Sequence, residues 1–502
     1  MAIHMKKSFD SFSISILGMG AISAFLLLGF RVEHIISFKS VYHVVTSGFE
    51  EESLFAMWKY HHFIPVYNDP HQIPYSASYF NWLFYSFYGS LISLIMHHFH
   101  LNDAFIPTIG RCITLAVVSL GFLINAKLLA QNDNQSRSLP YSLAFSLSAL
   151  LWLGPLVGYW AITVRPDLLA LLCDVIAALF LFNYLRNKTL MSIVLAAICC
   201  YLSWACKQIN IVMPIAIGLF LLTEKEWRAV LLFSVVLIVG YALTISLASA
   251  ALLKTIFFVD TAVPLSWAML IENLVDFAKK PLPAAVLWVA LIGAQCSNKQ
   301  IIRKIHSDKM VKFGLCGLLA WAITLLPASS KVGSSVNYYF IALFFWILAI
   351  AGALRQLSQQ RSKWIDGGIA LAGMVFITCI FIAFSNASIQ NIQEQRVEQA
   401  QLQECMTKVM PPIFVVNHYA ALPWMNPSPI SFVLAYNYWS DRHANRSFEH
   451  NGIGGLIGQG YFNTLILPPL VTNTYDGASL NAYEPYQDVC GGYAVFIKKD
   501  RV

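Results

Sequence analysis

Residues 48 to 52 read Gly-Phe-Glu-Glu-Glu, so three consecutive carboxylates, Glu50, Glu51 and Glu52, stand about twenty positions past the first apolar run of a greasy chain. A carboxylate within about 3 Å of a hydroxyl or amine can take its proton. Four cations elsewhere suit the complementary task, since Arg111, Arg165, Lys207 and Lys331 each lie at or near the end of an apolar run. Arg holds phosphate oxygens in a planar fork and Lys offers a compact charge. Cations so placed lower a barrier by stabilising charge that grows on a departing phosphate. A base and an anion pocket are what transfer of a group from a phosphate carrier requires. A solvated loop would hold the same carboxylates at no cost, and a single cation can snorkel to headgroups or pair with a carboxylate such as Asp167. The set has chemical meaning only if the fold gathers it.

The surrounding chain is built for a membrane. Of 502 residues, 57% are hydrophobic and 12% charged, with a mean hydropathy of +0.61, about half the charge of a soluble domain. Candidate spans fall near 13 to 30, 104 to 130, 139 to 158, 167 to 186, 190 to 206, 209 to 223, 229 to 253, 282 to 296, 313 to 328, 337 to 354 and 365 to 385. Each is long enough, or nearly so, for a hydrocarbon core about 30 Å thick. The first follows Lys6 and Lys7 and lacks a small-residue cleavage site before Arg31, so it reads as a retained anchor. From Asn386 onward the chain is mixed and polar, and the short runs at 412 to 418, 464 to 470 and 491 to 499 read as strands. The expected organisation is a transmembrane domain over 1–385, with a first outer loop at 31–103, and a small domain over 386–502. The fold class expected is an all-α polytopic membrane protein of about eleven transmembrane helices plus outer interfacial helices, ending in a small α+β extracytoplasmic domain.

Charge sets the sidedness. Residues 78 to 99 start in aromatics and end in histidines, which suits a helix lying at the membrane surface. With that segment outside the count, the basic connections at 131 to 138, 186 to 188, 224 to 228, 297 to 312 and 355 to 363 all fall on the side of Lys6 and Lys7, as the positive-inside rule demands. The Glu-rich loop, the four cations and the C-terminal tail then share the opposite face. The net charge of +7 is scattered over short loops and forms no stripe, so nucleic acid is not an expected partner. Eight of the ten cysteines fall in or beside apolar runs, where they act as small hydrophobes. Cys405 and Cys490 lie in the tail and can pair if the fold brings their Cα atoms within about 6 Å.

A series of short motifs, weak singly and informative in order, runs through this frame: the acidic pair, Tyr67-Asn68-Asp69, Pro74-Tyr75, an aromatic interfacial helix, Arg165-Pro166-Asp167, Lys207-Gln208, and Asn337-Tyr338 at the start of a late span. In this the chain resembles the GT-C superfamily of polytopic glycosyltransferases, and more closely the bacterial relatives of protein O-mannosyltransferases and lipid A aminoarabinose transferases. The resemblance covers about residues 10 to 385. It implies a polyprenyl-phosphate-linked sugar as donor, an acceptor that is a glycan, lipid or protein, and a bacterial inner membrane with the C-terminal domain in the periplasm. It places the acidic pair on Glu51 and Glu52, with the first as base, or on Glu50 if the register slips by one. Donor phosphate would fall to Arg165, Lys207, Lys331 and Arg111, and substrate contacts to Tyr67, Asp69, Asp167, Gln208, Asn337 and Tyr338.

Two departures stand out. The acidic positions are all glutamates, and Asn81 stands where a proline is common. No Asp-x-Asp appears in the outer loops, so a required divalent metal is not expected. The histidines His61, His62, His97, His98 and His100 read as headgroup contacts, because zinc needs ligands that converge. The competing class is a secondary transporter or lipid flippase. Such proteins carry ionisable groups near the midplane, and here Asp174 is the charged candidate that lies well inside a span.

Overall fold

The computed structural model describes residues 9–39, 49–131, 138–259, 264–296, 305, 307–357, 363–386, 389–416, 422–426, 435–490 and 492–499. The basic connections at 131 to 138, 297 to 312 and 355 to 363 therefore lie largely outside the described residues, as do the end of the expected strand at 412 to 418 and Gly491.

The chain forms an all-α polytopic membrane protein with a small C-terminal α+β region. In chain order its principal helices are α1 (Ser11–Ile35), α2 (Phe49–His61), α3 (Trp82–Phe99), α4 (Ile106–Ala130), α5 (Tyr141–Trp152), α6 (Pro166–Asn187), α7 (Leu190–Cys206), α8 (Val212–Thr223), α9 (Trp227–Leu247), α10 (Trp267–Lys279), α11 (Leu282–Cys296), α12 (Lys309–Ala328), α13 (Phe340–Leu357) and α14 (Lys363–Asn386). Among the described residues, seven helices are long and apolar enough to cross a membrane, and α10 with α11 forms a further pair bent by 69°. The helix α3 is not one of the seven. Three of the expected spans are short helices: α5 and α8 have 12 residues each and α7 has 17. Twelve residues reach only about 18 Å, less than a hydrocarbon core about 30 Å thick. The stretches that follow α5 and α7, 153–165 and 207–211, carry part of the candidate site.

Burial separates centre from periphery. The span Val336–Leu357 has 89% of its most apolar window buried, whereas Trp227–Leu247 has 17% and turns its apolar side chains outward. The central helix α13 packs closely on α12, because a Cβ at Gly314 would lie 2.7 Å from the Phe345 carbonyl oxygen. Small residues at such crossings let backbones approach where no hydrophobic effect drives association.

After α14 comes α15 (Ile389–Thr407), and the tail then builds a four-stranded sheet. Its strands are β1 (Ile413–Val415), β2 (Thr464–Leu467), β5 (Tyr483–Cys490) and β6 (Tyr493–Lys498), ordered β1-β2-β6-β5, while β3 (Thr474–Tyr475) and β4 (Ala478–Ser479) form a separate hairpin. The strand β1 pairs parallel with β2, and the other pairs in the sheet are antiparallel. Cys405 on α15 and Cys490 on β5 are joined by a disulfide, with their Cα atoms 5.4 Å apart.

Candidate functional site

The acidic stretch is the first turn of a helix, where the sequence suggested a loop. Glu50, Glu51 and Glu52 all occupy the N-terminal turn of α2, with Lys59 and His61 in its last turn. Both placements agree with the helix dipole, which favours anions at the start and cations at the end. None of the three carboxylates is solvated: Glu50 is 2%, Glu51 0% and Glu52 1% exposed. The solvated-loop reading therefore fails.

Successive helical positions point about 100° apart, so Glu50 and Glu52 meet different partners. Glu50 takes a two-pronged ion pair from Arg111, with Nε donating to Oε1 at 3.0 Å and the terminal nitrogen to Oε2 at 3.2 Å. The Val164 N–H adds a third donor at 3.2 Å. Arg111 also donates to the carbonyls of Phe38 at 2.7 Å and Ile35 at 3.3 Å. It thus ties the start of α4 to the end of α1, and its guanidinium is engaged with Glu50 rather than gathered with Arg165 and Lys207.

Glu52 faces another way. The Tyr85 hydroxyl of α3 donates to its Oε1 at 2.5 Å. Burial pushes the carboxyl up to about 7, even though the Tyr85 hydrogen bond, the nearby Lys59 charge, the Tyr79 backbone N–H and the Arg165 charge all hold it down. Lys59, seven residues on and so on the same helical face, is itself brought down to about 8 by burial, partly offset by Glu52. Its ammonium donates to the Val66 carbonyl at 2.5 Å and to Asn68 Oδ1 at 2.8 Å, which fastens the loop after α2.

A second cluster forms where three chain segments meet at one face. Pro166 occupies the first position of α6, and the residue before a proline is forced into extended backbone. Arg165 accordingly sits at φ −148°, ψ 155°, with its guanidinium 3.8 Å from the centroid of the Trp160 ring. Asp167 lies in the first turn of α6, and Lys207 caps the end of α7. Because α6 and α7 form an antiparallel hairpin, the start of one returns to the end of the other. Asp167 thereby receives Lys207 Nζ at 2.5 Å, Arg165 Nε at 3.3 Å and the Asn337 side-chain amide at 2.7 Å. Asn337 comes from the 3-10 turn Val336–Tyr339 that leads into α13. The Tyr338 ring centroid lies 5.2 Å from Lys207 Nζ.

Tyr79 joins the two clusters through its backbone. Its N–H bonds to Glu52, and its carbonyl accepts from the Gln208 side chain at 2.7 Å. Tyr67 stacks edge-on against Tyr85, with centroids 5.8 Å apart, and donates to the Phe80 carbonyl at 3.0 Å. Asp69 lies toward the C-terminal region, held by Lys254 at 3.2 Å and by the His71 backbone N–H at 3.0 Å. Lys331 is half-buried in the turn before Val336, where it pairs through its backbone with Leu265. Asn81, in the position where a proline was expected, caps α3 at the Trp82 N–H and donates to the Trp204 carbonyl at 3.1 Å. Asp174, which a transport reading would use, is buried on α6 with Ser203 as a hydrogen-bond partner.

Sequence reasoning missed Lys59, Tyr85 and Trp160. The seven-residue spacing between Glu52 and Lys59 was the available signal, but it has meaning only once the segment is known to be helical.

No family model matches the chain, and no curated protein matches its sequence. Among solved structures it is similar to the apo form of the oligosaccharyltransferase of Archaeoglobus fulgidus, at 13% identity and a TM-score of 0.46, over 91% of this chain and 69% of that one. It is also similar to the archaeal oligosaccharyltransferase AglB of the same organism in complex with an inhibitory peptide and a dolichol-phosphate, at 13% identity and a TM-score of 0.43, over 98% and 75%. Likenesses of this degree leave the chemistry to be read from the residues.

Proposed function

We propose that this protein is an integral membrane glycosyltransferase that moves a sugar from a polyprenyl-phosphate-linked donor to a hydroxyl or amine of a glycan, lipid or protein acceptor. The observation that carries the reading is the buried Glu52 carboxyl, linked through Tyr79 and the charge of Arg165 to the Arg165–Asp167–Lys207 cluster. A general base works best when its pKa lies near the working pH, and about 7 meets that condition. In the cluster two cations share one carboxylate, so one positive charge remains to meet a phosphate.

In this mechanism Glu52, with Glu51 beside it, takes the acceptor's proton as the nucleophile attacks the anomeric carbon. Arg165 and Lys207 turn from Asp167 toward the phosphate oxygens as charge grows on the leaving group, which is released as polyprenyl phosphate. Asp167 and Asn337 keep Lys207 aimed in the absence of donor. Glu50 has a separate role, because its ion pair with Arg111 fixes where α2 begins. The disulfide between Cys405 and Cys490 supports an oxidising compartment for the C-terminal region, in keeping with transfer on the periplasmic face of a bacterial inner membrane.

The test is reconstitution of the full chain in lipid vesicles with a polyprenyl-phosphate sugar or with the matching nucleotide sugar. Transfer from the lipid donor alone is expected. Transfer from the soluble nucleotide sugar without lipid carrier would overturn the reading.

A further inference from the structure

The histidines that composition assigned to the membrane surface converge in the folded chain. His61 closes α2, His62 follows it, and Asp103 lies in the short turn between α3 and α4. One ligand atom from each of the three falls within 4.8 Å of the others. The side chains are already oriented. His62 Nε2 meets Asp103 Oδ2 at 2.8 Å, the Trp58 indole N–H donates to the same oxygen at 2.8 Å, and His61 Nδ1 shares a hydrogen bond with Ser93 Oγ at 3.2 Å. In metal sites the ligating histidine commonly donates its other ring N–H to a neighbour, and ligating carboxylates are hydrogen-bonded in turn. Ser93 and Trp58 occupy those two supporting positions.

We infer that His61, His62 and Asp103 form a binding site for a first-row divalent cation, zinc above all, that clips the end of α2 to the turn between α3 and α4. Two imidazoles and a carboxylate are a zinc ligand set, with water completing a tetrahedron. Ligand atoms about 2.0–2.1 Å from zinc lie roughly 3.3 Å apart, so rotations that move each ring by about 1 Å close the set. On binding, the cation takes the place of the hydrogen bond between His62 and Asp103, with His62 coordinating as a neutral imidazole that keeps its proton on the other ring nitrogen. The site stands at the opposite end of α2 from the three glutamates, so a bound cation holds the axis of the helix that presents them. This inference does not depend on the proposed sugar transfer.

The experiment uses the full-length protein in detergent, stripped with a chelator and titrated with Zn²⁺ against a colorimetric competitor, and with Co²⁺ read by its visible absorption. Wild-type protein is expected to take up one equivalent of zinc, to show a tetrahedral Co²⁺ spectrum, and to melt at a higher temperature with zinc than without. Asp103→Asn and His62→Ala abolish that uptake. Trp58→Phe, which removes only a supporting hydrogen bond, weakens it by roughly 10-fold or more. His443→Ala, in the C-terminal region, leaves it unchanged. Melting curves in chelator identify any variant that fails to fold, and the zinc-dependent shift of the wild-type protein then decides the matter by itself. Failure of wild-type protein to gain thermal stability with zinc, or equal uptake by folded Asp103→Asn, would overturn the inference.

Discussion

Lys207 and Asp167, forty residues apart, meet at 2.5 Å because the end of α7 returns to the start of α6. The favourable end of each helix dipole supports the charge it carries there, and Asn337 and Arg165 complete a four-residue junction of three chain segments. If this junction receives the donor phosphate, Lys207→Met should weaken binding of a polyprenyl-phosphate sugar by roughly 10- to 100-fold, the range for a lost charge-assisted hydrogen bond. Binding by the variant within twofold of wild type, measured by isothermal titration in detergent, would remove Lys207 from the donor site.

The glutamates of α2 should behave differently from one another. Glu50→Gln leaves Arg111 buried without its counter-charge, and breaking a buried pair in this way costs about 3–5 kcal/mol. Its expected signature is a lowered melting temperature, with transfer lost in proportion to folded protein. Glu52→Gln retains shape and most hydrogen bonds, so it should melt near wild type while transfer falls by roughly 10²- to 10⁴-fold. If Glu51→Gln shows the larger loss instead, the base is Glu51 and Glu52 tunes it.

The pH dependence carries a defined sign. A base must be ionised to accept a proton, so kcat/KM should rise with pH through an acid limb near 7, where burial places Glu52, rather than near 4.5. The Tyr85 hydroxyl stabilises the carboxylate, so Tyr85→Phe should move the limb to higher pH. The same shift opposes folding: between the unfolded value of 4.5 and about 7 the native state keeps a proton that the unfolded state has lost, so this group's contribution to stability falls as pH rises across that window. A limb below pH 5 would exclude Glu52 as the base.

Sidedness can be read by labelling. Ser53 is fully buried and cannot serve as a reporter, whereas Ser447 and Ser307 are exposed. A membrane-impermeant thiol reagent on intact cells should modify Ser447→Cys and spare Ser307→Cys, each scored against the parent protein. The reverse pattern would put the C-terminal region on the cytoplasmic side.

The C-terminal region also bears on the loop after α2. His71 meets Asp441 at 2.9 Å, and the Tyr75 hydroxyl donates to the Glu449 carbonyl at 2.7 Å. Tyr75→Phe should therefore increase proteolytic cleavage near residue 449, measured against the intact Cys405–Cys490 link. Unchanged cleavage would mean that this contact does not hold the two regions together.

Composition and hydropathy by themselves determined that the chain is a polytopic helical membrane protein, where its apolar runs lie, and that a small mixed domain follows them. Those properties are sums over local residues: burying twenty apolar side chains in lipid needs no knowledge of their neighbours. The resemblance carried by the order of short motifs assigned Arg165 and Lys207, with Lys331 and Arg111, to donor phosphate, and Asp167 and Asn337 to substrate. Only the tertiary structure decided which charges pair. Arg111 goes to Glu50 and not to the other cations, and Tyr85 joins Glu52, because contacts at 3 Å depend on how α2, α3 and α4 cross, and no local pattern encodes that; Lys59 shares α2 with Glu52 and comes to it by helical spacing once the helix forms. The conversion of an acidic loop into a buried helical turn has the same cause. Carboxylates are expensive to bury alone, and for Glu50 and Glu52 partners from α3, α4 and the chain preceding α6, distant in sequence and supplied by the fold, offset that cost.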